Sequence, residues 1–275
     1  FYTGSSAMLA EAIHSLADSC NQLLLLFGMR QSRKPPDTNY PLGYGKSIYF
    51  WSFLVAVILF SLGGMFSIYE GVHKFTNPEP LTTPMIAIGV LVFAIIAESA
   101  SLWGCMHAVN KERRGRRLSL WFRESRSSEL IVVFGEDVAA LLGLILALIA
   151  VIAAAVTGNP IYDAIGTVMI GILLIVIAVL LAIEVKALLI GQGVERHVKE
   201  NMKTFLQERS EIEGIYNLLT MQMGPDAMVA IKAKMHTTGS EKELVKAINR
   251  VEADFRVAFP MTKWLFFEPD FKDED

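Results

Sequence analysis

His14 and Asp18 stand four residues apart in Ser5–Arg30, a segment otherwise fit to cross a bilayer. On a helix that spacing puts both side chains on one face, one turn apart. An ionisable group at membrane depth is costly and marks function by default. Imidazole beside carboxylate is also the start of a divalent-metal site. Asn21 continues the stripe at i+7, and Glu11 extends it at the outer end. A second constellation, Glu136 and Asp137, lies among the apolar residues of Ile131–Ala155. Adjacent helical residues project about 100° apart, so at most one of these two acids faces a shared centre well. Carboxylates at such depth must find a cation or a proton. The candidate metal ligands are therefore His14, Asp18, Asp137 and Glu136. One nitrogen donor among several oxygens suits Zn²⁺ and also admits Mn²⁺ or Fe²⁺.

Each residue has a plainer reading. His14 and Asp18 could be an interhelical hydrogen-bonded pair; two ionisable groups exceed what packing requires and favour metal. One acid of the Glu136/Asp137 pair could serve a basic loop end. Glu98, also flanked by apolar residues, is a proton relay, an outer ligand, or the partner of a hydroxyl such as Ser99. His73 and His107 sit at segment ends and read as interfacial rather than ligating. Gly63-Gly64 would let helices approach closely.

The elements that position these residues follow from composition. The chain has 275 residues, 53% hydrophobic and only 19% charged. A soluble domain carries about 25% charged residues. The apolar excess collects before residue 190, giving a membrane domain at 1–190 and a soluble domain at 191–275. Five segments have the roughly 20 apolar residues a membrane helix needs: Ser5–Gly28, Ser47–His73, Thr83–Ala108, Leu130–Val156 and Ile161–Ile190. Basic loops (Arg30, Arg33 and Lys34; then Lys111 to Arg126) alternate with loops lacking basic residues. The positive-inside rule puts the basic loops and the C-terminal domain in the cytoplasm. The stretch Lys111–Arg126, with Leu118, Leu120, Trp121 and Phe122, reads as a topology-setting loop, with an interfacial segment as the alternative. A net charge of −3, without basic residues interleaved with aromatics, points away from nucleic acid. Cys20 and Cys105 lack CxxC spacing and read as free buried thiols.

From Val194 the pattern turns soluble. A helix is expected at Val194–Gln207, strands at Ile215–Met223 and Met228–Met235 around the turn Gly224-Pro225-Asp226, and a helix from the cap Ser240 to Phe259 with Glu243 at the capping-box position. Pro260 stops it, and Thr262–Phe267 reads as a third strand. The order αββαβ predicts a small ferredoxin-like α+β domain. The acidic tail Asp270–Asp275 is expected to be disordered.

These residues resemble the cation diffusion facilitator family. The resemblance lies in Thr3-Gly4-Ser5-Ser6 running into Glu11-Ala12-Ile13-His14-Ser15-Leu16-Ala17-Asp18, in Pro41-Leu42-Gly43-Tyr44-Gly45-Lys46, in Gly135-Glu136-Asp137-Val138-Ala139-Ala140 and in Asn159-Pro160-Ile161-Tyr162-Asp163. It covers essentially the whole chain. With Arg123-Glu124-Ser125-Arg126 upstream, the Glu-Asp pair looks most like the branch containing the animal mitochondrial zinc exporter. The resemblance implies a homodimer in a lipid bilayer, a bacterial inner membrane, that exchanges a divalent cation for protons, with His14, Asp18 and Asp137 at the transport site. It implies a first helix before Phe1 and six spans in the whole chain. No resident cofactor is implied; the metal, Zn²⁺ first, is cargo.

Three departures matter. Val133 stands where the family places a further ligand, one turn before Asp137, leaving Glu136 as the candidate. Tyr40 and Tyr44 replace loop histidines, which argues against a second metal site. Tyr216, Lys232 and Phe267 occupy strand positions that hold metal-binding residues in relatives, so the soluble domain is expected to dimerise without metal. A regulatory site using His236 and Glu268 is the weaker alternative there. The rival functions are an Mn²⁺ or Fe²⁺ carrier, a membrane metalloenzyme on the same ligands, and a scaffold whose membrane site is vestigial.

Overall fold

The computed structural model describes residues 6–78, 83–237 and 239–272. It divides into two units, each considered by itself.

The first unit is a helical bundle. α1 spans Ser6–Ser32, α2 Ser47–Ile58, α3 Phe66–Thr76, α4 Pro84–Arg113, α5 Leu118–Glu124, α6 Ser128–Thr157 and α7 Ile161–Ile190. A π-helical turn at Leu59–Met65 joins α2 to α3, so Ser47–Thr76 is one continuous rod. Four rods of 30 residues are long and apolar enough to cross a membrane: Ser47–Thr76, α4, α6 and α7. Each is about 45 Å long, more than the roughly 30 Å hydrocarbon layer requires. The protein is thus a multi-pass membrane protein. α1, the fifth expected span, is a 27-residue helix but is not among the four. Asp18, Asn21 and Gln22 lower its apolar content, as the polar stripe implies. The side chains of α4 explain its sequence: Phe93 and Trp103 are 72% and 76% exposed, facing outward where hydrocarbon would lie.

The helices meet through small residues. α6 buries one long face that includes Gly135, Ala139, Ala140, Gly143, Ala147, Ala150 and Ala154. A Cβ on Gly135 would stand 2.7 Å from Leu181 of α7, and one on Gly166 would stand 2.2 Å from Ala150. Gly28 of α1 packs on Trp51, whose indole N–H donates to Gln31 Oε1 at 2.7 Å. Ser52 of α2 donates to Ser128 of α6 at 3.0 Å. Gly64 and Gly71, two turns apart, both face α7. A Cβ on Gly71 would lie 2.9 Å from the Val168 backbone nitrogen and 3.0 Å from the Ala164 carbonyl. Gly64 does admit the close approach expected of the glycine pair. α5 fills a place the sequence reading left as loop. Its Trp121 is fully buried, donates to Glu112 Oε1 at 3.0 Å and meets Phe134 edge-on.

The second unit holds α8 (Arg196–Gln207), β1 (Ile212–Met223), β2 (Asp226–Met235), α9 (Glu241–Ala258) and β3 (Thr262–Pro269). β1 and β2 form an antiparallel hairpin whose register closes at Met223↔Asp226. Its turn uses Gly224 at φ +69°, where only glycine is unstrained. α9 returns the chain so that β3 lies parallel to β2. The sheet order is β1-β2-β3, the expected αββαβ arrangement. Ala227, Val229, Ile231 and Ala233 alternate along β2 into a core with Met202, Leu206, Val251 and Phe255. Ser240 caps α9, its Oγ accepting from the Glu243 N–H. The tail corrects the expectation of disorder at its start. Asp270 N–H donates to the Ala233 carbonyl at 3.0 Å, its carboxylate pairs with Lys232 at 3.3 Å, and the Phe271 carbonyl accepts from the Tyr216 hydroxyl at 2.9 Å. The β2–β3 ladder thus runs one residue past the end of β3, on the central strand of the sheet. Residues 273–275 lie outside the described residues.

Glycine positions in the bundle separate into tight and open. Gly71→Ala should lower stability by about 1–3 kcal/mol, because its methyl group meets α7 backbone. Gly104, with nothing within 4 Å of its added Cβ, should accept alanine with no loss. Thermal unfolding in detergent reads both; equal midpoints would contradict the packing.

Candidate functional site

α6 carries both acids into the bundle, and their divergence is the one the helical period demands. Glu136 and Asp137 are each buried, at 5% and 7% exposure, yet they face different neighbours. Glu136 Oε1 accepts from the Asn21 amide of α1 at 2.6 Å, and Asn21 is itself fully buried. Asp137 Oδ1 accepts from the Ser101 hydroxyl of α4 at 3.4 Å, and Cys105 lies one turn beyond Ser101 on the same face of α4. Asp137 Oδ2 is buried with no hydrogen-bond partner among the described residues.

Asp18, Glu98, Glu136 and Asp137 lie close enough for their charges to act on one another. Three helices, α1, α4 and α6, thus bring four acids to one region. Three of the predicted site residues, Asp18, Glu136 and Asp137, are together in it. The fourth, His14, lies in α1 one turn before Asp18, and its side chain is outside the described residues, as is that of Glu11. Among the described residues no group of three or more His, Cys, Asp or Glu side chains forms a ready metal cluster.

Several readings need correction. Ser99 does not engage Glu98; its hydroxyl donates to the Ile95 carbonyl at 2.6 Å. Neither cysteine is a buried thiol: Cys20 is exposed and Cys105 half-buried. Ser101 and Cys105 went unnoticed in the sequence, although Glu98, Ser101 and Cys105 fall at i, i+3 and i+7, one face of α4. His73 and His107 are both exposed, and His73 stacks on Tyr69. His236 and Glu268 are not brought together. Glu268 pairs in register with Lys232, while His236 lies beyond the end of β2, about 13 Å further along the strand direction.

The loop after α1 has its own order. Asp37 Oδ2 accepts from the Tyr44 hydroxyl at 2.6 Å, and its Oδ1 accepts the backbone N–H groups of Asn39 and Tyr40 at 2.9 and 2.7 Å. The Tyr40 and Tyr44 rings pack 4.5 Å apart. Gly45 is buried, and its added Cβ would lie 2.1 Å from the Met223 carbonyl oxygen. This loop therefore touches the β1–β2 turn backbone to backbone. The Tyr44 hydroxyl holds the Asp37 carboxyl below its ordinary range, and that same bond pushes the Tyr44 phenol up to about 12.

Residues 1–190 match the cation efflux transmembrane domain. The chain is 32% identical over 240 residues to the proton-coupled zinc antiporter SLC30A9, mitochondrial, of Xenopus laevis, covering 86% of this chain and 43% of that protein. It is 32% identical over 242 residues to metal tolerance protein C4 of Arabidopsis thaliana, covering 87% and 53%. It is 26% identical over 230 residues to magnetosome protein MamB of a Magnetospira strain, covering 83% and 73%. The chain spans about half the length of the first two relatives. The family match covers the multi-pass helical bundle. The chain belongs to the cation efflux family, the cation diffusion facilitators.

Two outcomes test this geometry. Asn21→Ala should destabilise the protein by about 1–3 kcal/mol, because Glu136 stays buried without its donor. The double replacement Asn21→Leu with Glu136→Leu should recover most of that loss in the same thermal assay. The carboxylate of Asp37 is the form the loop binds. Its ordering contribution is complete above the ordinary carboxylate range and is lost as pH falls through the depressed value. In Tyr44→Phe the Asp37 carboxyl should titrate at higher pH than in the wild type, followed by its carbon chemical shift; an unchanged midpoint would remove the hydroxyl as the cause.

Proposed function

We propose that this protein moves a divalent metal cation, Zn²⁺ first, out of the cytoplasm in exchange for protons. The observation that carries the reading is the convergence of Asp18, Glu98, Glu136 and Asp137 from three helices inside an apolar bundle. Buried like charges repel, and a dication or protons relieve them. His14, Asp18 and Asp137 are the proposed ligands, with Glu136 the fourth acid. Metal binds these groups only when they are deprotonated, so protons arriving from the other side compete for the same atoms. Alternating access then follows from helix rearrangement around one site: metal leaves outward and protons return. The relatives described as zinc antiporters support the ion and the coupling; the oxygen-rich donor set also suits Mn²⁺ or Fe²⁺.

In this reading the protein is a carrier rather than an enzyme, its basic loops and soluble unit face the cytoplasm, and it works as a homodimer. The soluble unit supports the last point with an open sheet face on which Leu219 and Phe266 are 60% and 55% exposed. The expected setting is a bacterial inner membrane.

The test is zinc flux into proteoliposomes under an imposed pH difference. Asp18→Ala and His14→Ala should abolish flux while the purified protein keeps its thermal midpoint within a few degrees. Zinc accumulation by the Asp18→Ala protein at the wild-type rate would refute the mechanism. Glu136→Gln should lower metal affinity as far as Asp137→Asn; no effect would leave Glu136 to its hydrogen bond with Asn21.

A further inference from the structure

Beyond the acids, one soft donor faces the same region. Cys105 lies on α4 one turn beyond Ser101 and two turns beyond Glu98, all on the face turned toward Asp137. Ser101 hydrogen-bonds the Asp137 carboxylate, which sets this face of α4, Cys105 included, against Asp137, whose charge acts on both Glu98 and Cys105. Asp137 is 93% shielded from solvent, since only 7% of its surface is exposed. Its Oδ2 is buried without a hydrogen-bond partner among the described residues. A carboxylate atom withheld from water and given no donor is an atom placed for something else. The next polar side chain beyond Ser101 on that face of α4 is the Cys105 thiol. Glu136, the neighbouring acid, is turned away to Asn21 and leaves this side of Asp137 to α4.

We infer that Cys105 is a sulfur donor to the transported cation, sharing it with Asp137, and that it sets the preference for soft over hard divalent ions. This rests on the transport reading above and adds to it a residue and a selectivity. Thiolate sulfur favours zinc and softer ions, whereas an all-oxygen set suits Mn²⁺ and Mg²⁺. Coordination replaces the S–H bond by a metal–sulfur bond, and the thiol proton leaves to water in the compartment from which the metal enters. Metal loading then frees one proton more than the carboxylates and imidazole account for. The half-buried position of Cys105 leaves room for an ion to reach it.

The experiment uses the full chain, purified and in proteoliposomes, with Zn²⁺, Cd²⁺ and Mn²⁺ as separate probes. Cys105→Ser keeps a small polar side chain of nearly the same shape and removes only the sulfur. It should lower the ratio of Cd²⁺ to Mn²⁺ transport by at least about tenfold, the scale of a lost metal contact, while Mn²⁺ flux persists. Cd²⁺-loaded wild type should show the ultraviolet sulfur-to-cadmium charge-transfer band, and Cys105→Ser should lose it. Cys20→Ser, altered at the exposed thiol, should keep it. This spectral readout stands even where a variant transports poorly. A wild type that carries Cd²⁺ without the band, or a Cys105→Ser protein with unchanged ion preference, would overturn the assignment of Cys105 and leave antiport standing. A wild type that neither binds nor carries any of the three ions would overturn both.

Discussion

The constraint on which the rest of the bundle depends is the cost of placing carboxylates inside an apolar rod. α6 carries Glu136 and Asp137 into a face otherwise made of glycine, alanine and aliphatic residues. α1 brings a buried amide to Glu136, and α4 brings a hydroxyl to Asp137. The small residues on the rest of α6 let α7 close over the other side. The acids therefore sit at the centre of the packing rather than at its margin. In the proposed transport reading, a site that holds a cation briefly and releases it gains from such neutral dipoles. They steady a carboxylate without supplying the permanent positive charge that would exclude the ion.

Much of this was legible in the chain because it rests on periodicity. The last long helix runs Ile161–Ile190 in the structure, as hydropathy placed it, and the other spans shift by only a few residues at their ends. The cap at Ser240 and the stop at Pro260 carry local chemistry that sequence states directly. The stripe His14–Asp18–Asn21 and the divergence of Glu136 from Asp137 follow from 3.6 residues per turn and nothing more.

What escaped the sequence was pairwise and tertiary. No periodic signal says that Asn21 would reach Glu136 across 115 positions, or that Ser101 would serve Asp137. Serine is a common residue in membrane helices, and its meaning lies in what faces it. α5 is only 7 residues long, too short for a pattern to show, and exists because Trp121 has a pocket and Glu112 accepts its N–H. The π-helical turn over Gly63 and Gly64 answers a close crossing with α7 rather than a local propensity. The tail reads as disordered from its charge, but Lys232 and Tyr216 wait on the sheet to receive it.

The contact of Gly45 with the β1–β2 turn has a consequence for biosynthesis. The loop Ser32–Ser47 leaves the ribosome with the early helices, while Met223 and Gly224, against which it closes, are made roughly 180 residues later. At 5–20 residues per second that interval is roughly ten to forty seconds. The bonds that hold its turn lie within Asp37, Tyr40 and Tyr44 and need no residue of the later hairpin. A loop that orders itself waits as a folded landing place, and the nascent sheet needs only to dock its hairpin there once translation ends.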